Sequence, residues 1–139
     1  MPRLAGILET CLYVEDMARA HGFYSGVLGL ARILEDGDRI SVYEVTPAQV
    51  LILFKCGATL EPVETPGGRI PPHDGAGPVH LAFMVEDAAV DDWRQHLAAS
   101  RIAIESEVTW PKRGRSLYFR DPDGHALELA TPNLWSSLR

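Results

Sequence analysis

The stretch ILETCLYVED, residues 7–16, decides the fold because it returns as PVHLAFMVED at residues 78–87. The two stretches align without a gap, and Glu9 of the first falls on His80 of the second. An internal repeat is a statement about architecture before it is one about function. The sequence therefore predicts two copies of one structural unit, with an ionisable side chain at matching positions.

Each stretch alternates as a β-strand does, so that successive side chains point to opposite faces. One face is apolar, and we expect it to pack against a helix. The other face of each strand is more polar, and we expect the two such faces to line a shared concave space. These residues are Glu9, Cys11 and Tyr13 in the first copy, and His80, Ala82 and Met84 in the second.

The remaining pattern repeats as well. Asp16 and Asp87 are predicted helix N-caps, for helices over about 17–28 and 88–100. Three strands follow each helix, near 31–35, 39–45 and 49–55 in the first copy and near 102–108, 115–120 and 126–130 in the second. We predict an α+β fold with a single domain, residues 1–139. The domain contains module one at about 4–56, a Pro- and Gly-rich linker at about 57–78, module two at about 79–131 and a tail at 132–139. Each module is βαβββ.

The last strand of module two carries a second ionisable residue on its predicted concave face. In HALELA, residues 125–130, Glu128 is flanked on that face by Ala126 and Ala130. Burying a lone carboxylate is costly, so Glu128 needs a cation, a donor or water. Its counterpart in module one is Ile52.

Composition narrows the classes of function. The net charge is −6 without a basic stripe, which argues against nucleic acid as the main partner. No apolar run approaches the roughly 20 residues that span a bilayer, and the N-terminus predicts no signal peptide. Cys11 and Cys56 have neither metal spacing nor a disulfide pattern, so we expect reduced thiols and a cytoplasmic location.

The chain resembles the vicinal oxygen chelate superfamily, which includes glyoxalase I, extradiol dioxygenases, fosfomycin-resistance enzymes, methylmalonyl-CoA epimerase and the bleomycin-resistance proteins. The stretches that carry the resemblance are ETCLYVEDMARAHGFYSGVLGL, VHLAFMVEDAAVDDWRQHL and SLYFRDPDGHALELA. The resemblance implies that the two modules form a cup-shaped mixed sheet around one divalent metal ion. The fold hosts many chemistries, so it specifies the activity far less than the architecture.

Carried over residue by residue, the resemblance implies that Glu9, His80 and Glu128 are the metal ligands. Glu9 stands where the family usually has histidine, and Ile52 stands where glyoxalase I has a fourth ligand. One imidazole with two carboxylates suits Mn²⁺, Mg²⁺ or Zn²⁺ at least as well as Fe²⁺, and Ni²⁺ stays open. Each ligand also has an alternative. His80 is otherwise a buried histidine bonded to backbone, and Glu128 is a carboxylate paired with an arginine such as Arg115 or Arg120. At Glu9 the substitution can equally mean that the metal has been lost.

Other candidate site residues come with ordinary alternatives. Tyr118 matches a tyrosine of extradiol dioxygenases and fosfomycin-resistance enzymes and is a candidate acid, or else a half-buried sheet residue. His73, in the linker, is a candidate acid, base or ligand, or else a solvated loop histidine.

Four further residues are candidates for binding the substrate. Lys112 and Arg115 belong to a basic cluster that either holds a substrate anion or forms a solvated hairpin. Ile52 and Phe54 predict an apolar wall for an organic substrate. We expect His21, His96 and His125 at the surface, and Trp135 to pin the tail.

Two functions follow from the resemblance. The first is a divalent-metal-dependent enzyme of lyase, isomerase or dioxygenase type that acts on a small oxygen-rich substrate, with Glu9 as a general base if it does not bind the ion. The second is a non-catalytic protein of the bleomycin-resistance type that binds a drug or small molecule. The resemblance also implies a homodimer, in which the cup is built within one chain or from two.

Overall fold

In the computed structural model, which describes residues 1–135, the chain divides into two compact units. The first unit runs from Met1 to Ala76 and the second begins at Gly77. Residues 136–139, the last part of the predicted tail, lie outside the described residues.

The first unit contains one helix, a four-stranded sheet and a small hairpin. Its elements are β1 (Glu9–Val14), α1 (Met17–Gly26), β2 (Ala31–Asp36), β3 (Ile40–Thr46), β4 (Gln49–Lys55), β5 (Val63–Thr65) and β6 (Gly68–Ile70). The sheet order is β1-β4-β3-β2, and β1 is parallel to β4 while the other pairs are antiparallel.

The second unit repeats this plan. Its elements are β7 (His80–Met84), a short 3₁₀ turn (Asp87–Ala89), α2 (Val90–Ala99), β8 (Ser106–Thr109), β9 (Arg115–Arg120), β10 (Ala126–Ala130) and a second 3₁₀ turn (Pro132–Leu134). The sheet order is β7-β10-β9-β8, again with one parallel pair, β7 with β10. The α+β fold and the duplicated strand–helix–three-strand order are confirmed.

In each sheet the apolar face is buried, as the alternation of side chains along the strands predicts. Leu12 and Val14 of β1 are almost fully buried, and so are Leu127 and Leu129 of β10. Helix α1 buries Met17, Ala20, Phe23 and Tyr24, and α2 buries Val90 and Leu97. Burial of a leucine side chain of this kind contributes roughly 1.5–3 kcal/mol to stability.

The two helices begin differently, although their sequences predict the same cap. The Asp16 carboxylate accepts a hydrogen bond from Arg19 N at 2.9 Å, so it caps α1 as predicted. The predicted cap at Asp87 is wrong. Asp87 opens the 3₁₀ turn, and its carboxylate accepts from Arg115 Nε at 3.2 Å instead of capping the helix backbone.

Three other expectations are corrected. The predicted linker contains the β5–β6 hairpin, whose three-residue strands are too short and too exposed to give a periodic signal. His125 is buried rather than exposed. Its polar ring is accommodated there because its Nδ1 lies 2.6 Å from the carboxylate of buried Asp121. Trp135 does not pin the tail, since it is 63% exposed.

Two further findings concern the cysteines and the lengths of the helices. Both cysteines are free thiols. Among residues 1–135, no helix is long and apolar enough to cross a lipid bilayer.

Candidate metal centre

Strand register in the second unit brings His80 and Glu128 together. The parallel pairing of β7 with β10 sets His80 opposite Ala126 and Ala82 opposite Glu128. Paired residues point to the same face of a sheet, so the two ionisable side chains are diagonal neighbours on one face. Ala82 and Ala126 are small enough to leave the space between the His80 and Glu128 side chains open.

The contacts of the His80 imidazole make it a candidate ligand. Nδ1 lies 2.7 Å from Ala126 O, and because a carbonyl oxygen can only accept, Nδ1 must carry the hydrogen. In the neutral ring Nε2 then holds a lone pair, and it lies 3.1 Å from Glu128 Oε1. Two acceptors at this distance need a proton or a cation between or beside them.

His80 and Glu128 supply two donors of the kind that a divalent metal ion takes. Metal-binding histidines commonly donate their other ring hydrogen to a carbonyl, as His80 does to Ala126. A neutral imidazole nitrogen and a carboxylate oxygen are ligands that Zn²⁺ and Mn²⁺ accept. The His80 side chain is 52% exposed and that of Glu128 is 6% exposed, so an ion could reach the pair from solvent.

The second oxygen of Glu128 is held from within the sheet. Ser116 Oγ lies 2.5 Å from Glu128 Oε2, and Trp110 Nε1 donates to Ser116 Oγ at 2.8 Å. Neither of the arginines considered as partners for Glu128 takes that role. Arg115 binds Asp87 and Asp91, and Arg120 donates to Glu105 at 2.8 Å.

Tyr118 lies directly beside Glu128. The two residues are opposite each other in the antiparallel β9–β10 pair. The Tyr118 ring stacks near the His80 imidazole, with centroids 6.2 Å apart and planes inclined by 28°. Burial, followed by the negative charge of Glu128, raises the pKa of the Tyr118 phenol, so the hydroxyl keeps its proton at neutral pH.

A cavity of about 870 Å³ opens over this face. Its polar floor consists of His80, Tyr118 and Glu128. The rest of its lining is mostly apolar and comprises Ala82, Phe83, Met84, Trp110, Ala130, Thr131, Pro132, Leu134 and Trp135. Such a cavity has the size and character of a site for a small organic molecule.

The basic cluster is not brought to this face. Arg115 shares strand parity with buried Leu117 and Phe119, on the opposite side of β9 from Tyr118. Its guanidinium donates to the Asp87 carbonyl at 2.8 Å and to both neighbouring aspartates. Lys112 is exposed in the turn between β8 and β9.

In the first unit, the predicted face of β1 and β4 carries three of the remaining candidate residues, Glu9, Ile52 and Phe54. Register pairs Glu9 with Val50, Cys11 with Ile52 and Tyr13 with Phe54, so these side chains share one face. Ile52 and Phe54 are both 8% exposed and form an apolar surface there. Glu9, at the start of β1, is exposed.

His73 packs on the same face of the first unit. Its Nδ1 lies 2.5 Å from the Tyr13 hydroxyl, and its ring centroid is 4.7 Å from that of Phe54. Thr59 holds the segment through two hydrogen bonds: its carbonyl accepts from His73 N at 2.9 Å, and its hydroxyl donates to His73 O. Burial, with smaller effects of Cys11 and Asp74, raises the pKa of Tyr13, so the phenol keeps its proton at neutral pH.

Within residues 1–135, no three His, Cys, Asp or Glu side chains gather in a group that could hold a metal ion. His80 and Glu128 therefore supply two donors, and the place of Glu9 in the site stays a prediction. Sequence reasoning gave Ser116 and Trp110 no role. Ser116 lies on the same face of β9 as Tyr118, and this alternation could have indicated that Ser116 belongs to the site. The position of Trp110 depends on the turn that follows β8, which the sequence pattern does not specify.

Comparison with known proteins agrees with this geometry. The family model described as the Glyoxalase/Bleomycin resistance protein/Dioxygenase superfamily matches residues 6–129. A crystal structure of lactoylglutathione lyase from Agrobacterium tumefaciens is 30% identical with a TM-score of 0.87, covering 96% of this chain and 98% of that one.

Two further relatives are named for resistance or thiol chemistry. Metallothiol transferase FosB from Staphylococcus saprophyticus is 29% identical over 126 residues, which is 90% of this chain and 76% of the relative. The other relative is a mutant of the fosfomycin resistance protein FosX from Listeria monocytogenes, complexed with Mn(II) and 1S,2S-dihydroxypropylphosphonic acid. It has a TM-score of 0.67 at 20% identity, and the match covers 91% of this chain and 90% of that one. At this identity it supports the fold alone. The predicted resemblance is confirmed, and the chain belongs to the Glyoxalase/Bleomycin resistance protein/Dioxygenase superfamily.

Proposed function

We propose that the protein is a divalent-metal-dependent enzyme that acts on a small, oxygen-rich organic substrate. The observation that carries the proposal is the close approach of His80 Nε2 to Glu128 Oε1, at 3.1 Å. Because Ala126 O fixes the hydrogen on the other ring nitrogen, a bound cation satisfies both atoms at once. The relatives named metallothiol transferase and lactoylglutathione lyase support the same class of function.

Glu9 is the proposed third ligand, supplied by this chain or by a second copy in a homodimer. Two carboxylates with one imidazole form a hard, anionic set, which favours Mn²⁺, Mg²⁺ or Zn²⁺ over softer ions. Ile52 offers no donor, so coordination positions stay open for substrate oxygens, as a catalytic site requires.

When bound, the ion would act as a Lewis acid that polarises substrate oxygens. Tyr118 holds its proton because burial and the Glu128 charge raise its pKa, so it serves as a hydrogen-bond donor or general acid beside the pair. The apolar lining of the cavity, including Met84 and Trp110, holds the organic part of the substrate and excludes water.

His73 is the proposed second proton-transfer group. Its Nδ1 is bonded to the Tyr13 hydroxyl, which leaves Nε2 as the ring nitrogen that it offers to a substrate. Phe54 supports the ring at an edge-to-face angle of 73°, which limits its rotation.

Lyase or transferase chemistry on a thiol adduct is the preferred reaction class. The names of the 29% and 30% identical relatives both refer to thiol compounds. Dioxygenase chemistry is the second option within this class of enzyme, and it predicts Fe²⁺ dependence and consumption of O₂ with a catechol.

Metal analysis followed by a substrate screen tests the proposal. Purified protein should contain one divalent ion per chain, and His80→Ala and Glu128→Ala should lose it. The metal-loaded protein should then turn over one of three classes: α-ketoaldehyde–thiol adducts, epoxides with a thiol, or catechols. A chain that binds no divalent ion and turns over none of these compounds contradicts the proposal.

A metal-free binding protein of the bleomycin-resistance type is the alternative. It is favoured by the finding that residues 1–135 assemble only two of the ligands that a metal site needs, beside a mostly apolar cavity. That function predicts tight binding of an apolar drug with EDTA present and no change of melting temperature on adding Mn²⁺, Zn²⁺ or Fe²⁺.

A further inference from the structure

We propose that Ser116 is a positioning residue for Glu128, and that Trp110 fixes the direction in which the serine hydroxyl points. Through this chain of contacts Ser116 holds Oε2 of Glu128, and Oε1 would be the oxygen available to a bound ion. The inference rests on the proposed function, because it concerns how a ligand is held. It adds Ser116, which the proposed function does not use, and gives Trp110 a second role beside its place in the cavity lining.

Hydrogen-bond chemistry fixes the order of the chain. An indole Nε1–H can only donate, so at 2.8 Å Trp110 must give its hydrogen to Ser116 Oγ. The single hydroxyl hydrogen of Ser116 is then free to point at Glu128 Oε2, 2.5 Å away. That oxygen is therefore occupied by a donor from inside the sheet, and Oε1 is the oxygen that faces His80 Nε2.

Burial makes this arrangement specific. Ser116 is 1% exposed and Glu128 is 5% exposed, so bulk water does not compete readily for either group. On β9 Ser116 lies opposite Ala130, next to the pair formed by Tyr118 and Glu128. A short charge-assisted hydrogen bond in such surroundings is stronger than one between neutral groups.

The turn after β8 holds Trp110 in place. Trp110 N donates to Gly114 O at 2.7 Å, which closes the turn between β8 and β9. A Cβ at Gly114 would lie 2.8 Å from the backbone of Leu134, so only glycine allows this close approach. The run WPKRGRS thus serves as a rigid turn that aims the indole at Ser116.

A carboxylate held in this way should bind a metal ion through one oxygen. Outer contacts of metal ligands are worth about 10–100-fold in metal affinity when they are removed. Ser116→Ala should therefore weaken Mn²⁺ binding by about that factor, because Glu128 loses its donor and its fixed orientation.

The test measures the dissociation constant of Mn²⁺ from the electron paramagnetic resonance signal of free Mn²⁺, with full-length wild type and variants. Ser116→Thr keeps the hydroxyl and should restore affinity to near the wild-type value. Trp110→Phe keeps an aromatic ring but lacks the N–H, so it should fall between wild type and Ser116→Ala. Ser106→Ala, at an exposed serine on neighbouring β8, is the matched control and should bind as wild type.

The outcomes separate the two levels of the argument. Equal Mn²⁺ affinity for wild type and a folded Ser116→Ala overturns the positioning role while leaving the metal site intact. If Ser116→Ala does not fold, wild-type affinity in Trp110→Phe overturns it instead. A wild type that binds no Mn²⁺ overturns the proposed function, and the positioning role with it.

Discussion

Replacing Glu128 by glutamine should raise the stability of the metal-free protein while removing its response to metal. With Nδ1 donating to Ala126 O, an uncharged His80 ring makes Nε2 an acceptor, 3.1 Å from the acceptor Glu128 Oε1. A glutamine amide at this position would donate to Nε2 and still accept from Ser116. Both atoms would then be satisfied without a cation.

The expected size follows from burial. An unsatisfied buried polar group costs about 1–3 kcal/mol, and the lower end applies because the His80 side chain is 52% exposed and water reaches it. Glu128→Gln should therefore add about 1 kcal/mol to the free energy of unfolding, which is about 3–5 °C in melting temperature for a chain of this length. Mn²⁺ at 100 times its dissociation constant should add about 2.7 kcal/mol to wild type, and far less to the variant.

Urea unfolding at pH 8, in EDTA and in Mn²⁺, measures both effects. Glu86→Gln, at an exposed glutamate after β7, is the control and should change stability by no more than about 0.5 kcal/mol. A loss of about 3–5 kcal/mol in EDTA for Glu128→Gln would contradict this prediction, because that is the cost of breaking a buried ion pair. It would mean that His80 is an imidazolium that donates to Glu128, and not a neutral ring whose Nε2 is available to a metal ion.

Three further predictions concern catalysis, packing and pH. Tyr118→Phe should lower kcat about 100-fold or more in steady-state kinetics, as loss of a general acid does, and leave the Mn²⁺ dissociation constant unchanged; an unchanged kcat would exclude Tyr118 as the acid. Leu127→Ala should cost about 2–5 kcal/mol in urea unfolding because Leu127 is fully buried, and a cost below about 1 kcal/mol would contradict its place in the core. Arg94, and then Arg115, hold the pKa of Asp91 below its usual range, so this carboxylate adds stability above about pH 4 that is lost as pH falls through the folded value. Asp91→Asn should reduce the loss of unfolding free energy as the pH falls below about 4. A pH dependence identical to wild type would show that the two arginines do not stabilise the fold through Asp91.

Strand parity made the face of the second unit that carries the site predictable from the sequence. Alternation placed Glu128 and His80 on one face of β10 and β7, and Tyr118 beside them on β9, as the register has it. The repeat also predicted two sheets of the same strand order, because each copy has the same strand and helix periods.

What the sequence could not provide depends on particular side-chain contacts. Asp16 and Asp87 precede their helices in the same way, yet Arg115, 28 positions along the chain, takes the second carboxylate away from capping. No local pattern encodes that competition. The contact between Trp110 and Ser116 likewise depends on the geometry of one turn, which residue types alone do not specify.

We infer that His80 and Glu128 bind the same divalent cation. Pulsed electron paramagnetic resonance of the Mn²⁺-loaded protein tests it most directly, because it detects a nitrogen nucleus bonded to the ion. We predict coupling to one imidazole nitrogen per bound Mn²⁺ in wild type and in His73→Ala. Mn²⁺ bound without any nitrogen coupling, or with coupling that persists in His80→Ala, would contradict the account.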